Sequence, residues 1–210
     1  MIQTIYEDDY ILVIDKPSGL LTVPTPRKEK NTLTSILNKN LNKKNIRLYP
    51  CHRLDRDTSG LIIYAKSKKI QQAVMDDFRK RKVKKEYIAF VRGVPKKTGE
   101  IKSYIRRDLR DPLRLAETHY CVINQFKDFA QVHVLPKTGR TNQIRIHFKQ
   151  IGHPLLGERR FAYRRDFKIK FKRTALHASR LEFFHPVTKK KLSFYSALPL
   201  DLKSLIQSHS

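Results

Sequence analysis

Apolar positions along the chain change period several times, and each change marks an element. Tyr10 to Ile14 is a compact apolar run that reads as a short strand, ending at the turn Lys16-Pro17-Ser18-Gly19. From Thr32 to about Leu41 the spacing becomes helical: Leu33, Ile36, Leu37 and Leu41 fall on one face, with Asn31 or Thr32 as the cap. Leu61 to Ala65 is again a compact strand. Ser67 then caps a helix through about Arg79, with Ile70, Ala73, Val74 and Phe78 at helical spacing. β-Branched and aromatic content predicts strands over Tyr87 to Val91, Thr118 to Ile123 and Gln131 to Leu135. Asn142 to Gln150 suits a helix ended by Gly152 and Pro154. Two further strands, Ala175 to Phe183 and Leu192 to Ser196, connect through His185-Pro186 and Lys189-Lys190-Lys191, and a short helix follows Pro199.

Many non-alternating strands with a few helices predict an α+β fold, a mixed, largely antiparallel sheet with flanking helices. No repeat, low-complexity tract or Gly/Ser linker divides the sequence, so residues 1–210 read as one domain.

Charge narrows the partners. The chain carries 45 Lys plus Arg against 19 Asp plus Glu, a formal net charge of +26. Such an excess repels itself in the folded state and calls for a polyanion. Nucleic acid leads, ahead of an anionic membrane surface and of a ribosomal or packaging role. Basic residues gather at Arg79 to Lys85, Arg106 to Arg114, Arg159 to Arg173 and Lys189 to Lys191, interleaved with Tyr and Phe. One such run is more often a solvated face; four with little acidic compensation point to a phosphate-tracking surface. Ile11 to Ile14 is far too short to span a bilayer, and Glu7, Asp8 and Asp9 stand where a signal peptide is basic. Cys51 and Cys121 make no disulfide framework, which suits a reducing cytoplasm.

Nucleotide-cofactor motifs are missing: Lys137-Thr138-Gly139-Arg140-Thr141 has Val134 where a phosphate loop needs its first Gly, and no Gly-x-Gly-x-x-Gly occurs. The eight His show no paired helical spacing around a Glu, so no metal is expected. Cys51 and His52 are adjacent in an extended segment and point apart, which predicts a buried, inert thiol. The remaining candidate is Asp55, pressed between Arg53 and Arg56 just ahead of the Leu61 strand. A carboxylate in a charged loop is usually solvated. Fixed by cations, it is a poor general base but a usable nucleophile or stabiliser at a sugar's anomeric carbon, here the ribose of RNA or DNA.

His52-Arg53-Leu54-Asp55-Arg56-Asp57-Thr58-Ser59-Gly60-Leu61 resembles the catalytic motif of the RluA family of pseudouridine synthases. Asp15-Lys16-Pro17-Ser18-Gly19-Leu20, Lys85-Glu86-Tyr87 and Thr138 to His147 resemble three more of its motifs, in order. Gly152-His153-Pro154-Leu155-Leu156-Gly157, Leu176-His177-Ala178 and His185-Pro186 continue the match to about residue 200. The third motif usually has His where this chain has Asn142. The first motif begins at Asp15, which resembles compact members lacking a separate N-terminal RNA-binding domain. The resemblance implies the pseudouridine synthase catalytic fold and isomerisation of a uridine within RNA, without cofactor, metal or energy source. It makes Asp55 the catalytic carboxylate, acting on the anomeric carbon or on a ribose proton. Tyr87 would stack on the target base, Arg145 pair with Asp55, and Ile144 wall the pocket. Arg53 would enter the gap left by a flipped uridine, while Arg56 and Asp57 pair on the loop. The expected substrate is a stem-loop of ribosomal or transfer RNA, and the expected state a cytoplasmic monomer. The rival is a non-catalytic RNA-binding or ribosome-assembly protein on the same fold; a glycosidase that cleaves without rejoining is a lesser one.

Overall fold

The computed structural model describes residues 2–26, 29–41, 47–106, 110–162 and 169–209, with backbone alone for 40 and 41. The expected inward face of Leu41, and residues 107–109 and 163–168 of two basic clusters, therefore lie outside the described residues. Two compact units emerge: Met1–Lys84 with Arg180–Ser196, and Lys85–Ser179 with Ala197–Ser210.

In the first unit, β1 (Gln3–Glu7) pairs antiparallel with β2 (Ile11–Lys16), which pairs antiparallel with β4 (Ser59–Ala65). The two-residue β3 (Tyr49–Pro50) also lies along β4. All seven residues of β4 are buried, because both faces of this sheet are covered. Ile11, Val13, Leu61 and Ile63 pack against Ile70, Val74 and Phe78 of α2 (Lys68–Arg79). Leu12, Ile14, Ile62 and Tyr64 pack against Leu33 and Leu37 of α1 (Leu33–Leu41). A strand buried on both sides reads as an unbroken apolar run, which is why these showed no alternation.

Helix ends follow local chemistry. The Ser67 hydroxyl accepts from the Ile70 amide at 3.3 Å. At α1, Thr32 Oγ1 accepts from the Ser35 amide at 3.2 Å while Ser35 Oγ accepts from the Thr32 amide at 2.9 Å, a reciprocal cap with Ser in the usual Glu position.

Lys16 is the largest polar side chain buried in this unit, with no exposed surface. Its ammonium donates to the carbonyls of Pro17 at 2.8 Å, Leu20 at 2.7 Å and Arg56 at 3.0 Å, tying the turn after β2 to the loop before β4. Lys16→Met should remove at least about 2 kcal/mol of stability, because an orphaned buried acceptor costs about 1–3 kcal/mol. Urea unfolding measures this, and an unshifted midpoint would show that water replaces the ammonium.

The second unit is a meander: β5 (Lys84–Arg92), whose first residue belongs to the first unit, pairs with β8 (Phe129–Pro136), β8 with β7 (Arg114–Gln125), and β7 with β6 (Thr98–Ile105), all antiparallel. Ala89, Val91, Val132 and Val134 meet Ile144 and Phe148 of α3 (Gln143–Gln150). Phe90 and Phe129 form a second cluster with Leu202 and Leu205 of α4 (Leu200–Gln207). β9 (Leu176–Phe184) carries the chain from this unit into the first, where it pairs antiparallel with β10 (Lys191–Tyr195). The α+β class and largely antiparallel sheet are as the sequence predicts. β1 and β6 were not expected; β6 buries only Ile101 and Ile105 among its eight residues, leaving a weak apolar signal.

Candidate active site

The segment 51–58 is held from both ends. The Cys51 amide donates to the Ile63 carbonyl at 2.9 Å, and its thiol is buried among the apolar residues under α2. Burial pushes that thiol up to about 12. His52 Nε2 accepts from the Ile63 amide at 3.1 Å, and the ring lies 4.7 Å from that of Phe78. Held protonated by its burial, the Cys51 thiol is no thiolate nucleophile. Cys51→Ser should retain isomerisation, and native protein should resist alkylation there while Cys121 reacts. Rapid loss of activity with modification of Cys51 would reverse that reading.

Leu54 is buried, and one hydroxyl grips its backbone twice. Thr22 Oγ1 donates to the Leu54 carbonyl at 3.0 Å and accepts from the Leu54 amide at 3.2 Å. The Asp55 carbonyl accepts from the Thr58 amide at 3.2 Å, closing a tight turn. On this frame Asp55 is half-buried and Arg53 exposed. The Arg56 guanidinium reaches the Glu29 carboxylate at 3.4 Å.

In the second unit, Tyr87 sits on β5 opposite Val134, its ring half-buried against the core that also contains Ile144. Glu86 beside it meets His133 Nε2 at 3.0 Å. Lys85 reaches the Thr138 carbonyl at 3.5 Å, and burial pushes its ammonium down to about 8.

Arg145 follows Ile144 on α3 and is fixed on two sides. Nε and Nη2 donate to the two carboxylate oxygens of Glu158 at 2.6 and 2.9 Å, and Nη1 donates to Asn142 Oδ1 at 2.7 Å. The Phe161 ring lies 5.2 Å from its guanidinium carbon. Burial alone would push the fully buried Glu158 carboxyl up, but Arg145 and the amides of Arg160 and Phe161 hold it below the ordinary Glu range. The segment bearing Glu158 is clipped in place by Leu156 N to Phe90 O at 2.8 Å and Ala175 N to Leu156 O at 2.9 Å. Between them, Gly157 adopts a φ of 70°, and a Cβ there would overlap the Arg173 carbonyl.

The start of α3 is moored to β7 through Gln143. Its amide nitrogen donates to the Glu117 carbonyl and to Thr118 Oγ1, both at 2.9 Å, while its oxygen accepts from Thr138 Oγ1 at 2.6 Å. Thr118 Oγ1 also meets His147 Nδ1 at 2.9 Å, and burial pushes this imidazole down to about 4. Asn142, the cap of α3, has a left-handed φ of 56°.

Sequence reasoning thus located one loop holding Arg53 and Asp55, and one core region holding Tyr87, Ile144 and Arg145. It missed Glu158, whose signal was a lone acid ahead of Arg159-Arg160. Among the described residues one group, Glu100, Glu117 and His119, brings metal-ligand atoms together, but the Lys102 ammonium already lies on Glu100 and neutralises it. No described helix is long and apolar enough to cross a membrane.

The sequence model of the family described as RNA pseudouridylate synthase matches residues 10–150, which contain every motif placed above up to α3. Ribosomal large subunit pseudouridine synthase D of Buchnera aphidicola is 36% identical over 227 residues, covering 98% of this chain and 72% of its own. An uncharacterized RNA pseudouridine synthase of Bacillus subtilis is 36% identical over 97% of this chain and 71% of its own. Among solved structures, human RNA pseudouridylate synthase domain containing 4 superposes with a TM-score of 0.81 at 25% identity, covering 98% of this chain and 92% of that one. With the motifs in order and the fold shared along nearly its whole length, the chain belongs to the RluA family of RNA pseudouridine synthases, isomerases that act on uridine in RNA.

Proposed function

We propose that this enzyme converts a uridine of large-subunit ribosomal RNA into pseudouridine, with Asp55 as its catalytic carboxylate. The bond from uracil N1 to ribose C1′ breaks and one from C5 to C1′ forms; C5 loses a proton and N1 gains one. Asp55 assists either by attack at C1′ or by removing a ribose proton. The carrying observation is the loop itself: Thr22 and Lys16 grip its backbone, so a half-buried carboxylate is offered on a rigid support.

A stacked base is out of reach and must be flipped, at a cost of a few kcal/mol. The exposed Arg53 guanidinium enters the vacated gap, where its plane stacks on neighbouring bases and offsets part of that cost. Tyr87 stacks on the flipped uracil, Ile144 walls the pocket and Arg145 pairs with Asp55. The chain acts as a single catalytic domain, a monomer in the cytoplasm. The ribosomal substrate is supported by the names of several relatives; transfer RNA is the alternative.

Purified protein should release hydrogen from uracil C5 of a ribosomal RNA transcript, approaching one equivalent per site. A hairpin carrying the site should react nearly as well, because local shape and exposed loop bases guide recognition. Tight RNA binding with no release from either RNA would favour the non-catalytic assembly role.

A further inference from the structure

The solvent face of the β9–β10 ribbon carries a pattern that the proposed reaction does not use. Leu181 and Phe183 of β9, with Leu192 and Phe194 of β10, point into the core of the first unit. The alternate positions form a small flat face of three directly opposed pairs: Arg180 with Tyr195, Glu182 with Ser193, and Phe184 with Lys191. Two aromatic residues therefore stand at diagonal corners, Tyr195 67% and Phe184 49% exposed. Cations stand at the other two.

Glu182 organises the charge. Its carboxylate, with a side chain only 14% exposed, meets Lys191 at 3.0 Å, Lys84 at 3.3 Å and Arg180 at 3.5 Å. Lys191, and after it Lys84, hold its carboxyl below the ordinary Glu range. One carboxylate against three cations leaves the face positive, with Lys84 and Lys191 still 72% and 55% exposed. A single exposed aromatic is ordinary on any protein surface. Two on one flat ribbon, alternating with oriented cations, match what a single strand of nucleic acid offers: π-faces and phosphates. A second copy of a chain with a net charge of +26 would meet this face with like charge.

We propose that this face is a stacking platform for single-stranded RNA, with bases on Phe184 and Tyr195 and phosphates on Lys84 and Lys191. That the polymer is RNA rests on the chain's membership of an RNA enzyme family. Four residues along a strand and one strand across put the two corners roughly 14 Å apart. A strand of about four to five stacked nucleotides, at ~3.4 Å each, covers both.

The test uses the full-length protein and an oligoadenylate 12-mer, which contains no uridine and so reports binding apart from the reaction. Fluorescence anisotropy over a salt series gives affinity and its slope. Phe184→Thr with Tyr195→Thr should weaken binding about tenfold or more with little change in slope. Lys84→Gln with Lys191→Gln should reduce the slope of log affinity against log salt by about 1.4, two phosphates at ~0.7 each. Both variants should keep wild-type kcat on a saturating hairpin. If the aromatic pair fails to fold, Tyr195→Thr alone should still weaken binding severalfold. Unchanged affinity and slope in folded variants would overturn the proposal, as would an effect of the lysines without the rings. A dimer in sedimentation that Tyr195→Thr disperses would overturn it in favour of self-association. Absence of isomerisation in the wild type would count against the proposed reaction and leave the oligoadenylate result standing.

Discussion

Asp55→Asn is expected to reduce isomerisation by at least about a thousandfold, roughly 4 kcal/mol of barrier, while RNA affinity stays within a few fold. An amide is close to the carboxylate in size, and the bonds from Thr22 and Lys16 that hold the loop run to backbone atoms that the substitution leaves in place. It is no nucleophile and no base towards a ribose proton, so both routes fail together. Affinity rests on many phosphate contacts spread over a strongly cationic chain, and one uncharged substitution alters few of them. Release of hydrogen from uracil C5, alongside a filter-binding titration of the same RNA, separates the two quantities. Near-normal release from the variant would remove Asp55 from the mechanism. Parallel collapse of binding and rate would instead mark it as a structural residue of the loop.

The second large effect is expected at Glu158. Its side chain has no exposed surface, and it holds Arg145, itself only 14% exposed, by both carboxylate oxygens. Glu158→Ala leaves a mostly buried guanidinium short of its counter-charge and strips the Arg160 and Phe161 amides of their acceptor. Breaking a buried pair from one side typically costs about 3–5 kcal/mol. Glu158→Gln keeps an acceptor and should lose less. Arg145→Lys should behave more like the alanine variant, because a point charge cannot present the planar fork.

Acidity gives an independent check on the same group. Because the folded carboxyl is held low, its contribution is present above the unfolded value of about 4.3 and disappears as pH falls through the folded one. The gap in unfolding free energy between wild type and Glu158→Ala should therefore narrow only below about pH 4.3. His147 should contribute a separate loss of wild-type stability between about 6.5 and 4, because its folded value is pushed down and the unfolded chain takes up the proton first. A gap that closes already near pH 6 would assign the buried charge elsewhere.

How far each element could be read follows from what it buries. β2 and β4 were plain because both faces are covered, and α2 because Ser67 caps it and Ile70, Val74 and Phe78 repeat at helical spacing. β1 and β6 were lost because few of their side chains go inward and their polar positions dilute the pattern. For the site, Asp55, Tyr87 and Arg145 were legible through local motifs. Glu158 was not, because its partner lies 13 positions away and nothing in a single sequence links the two. Asn142 looked like a departure from the usual His. The structure gives it a physical meaning: the position needs a left-handed backbone and an acceptor for Arg145. Asn and His both visit that backbone region more readily than most side chains.

Gly157 carries a consequence that belongs to genetics. Its left-handed backbone and the Arg173 carbonyl crowding its α-carbon leave no room for any side chain, and the crowding atom is main chain, which cannot swing aside. A saturation library selected for function should therefore return glycine alone at this codon, alanine and serine included among the losses. Spontaneous variants there should appear as recessive, heat-sensitive or null alleles, although position 157 touches no substrate in the proposed reaction.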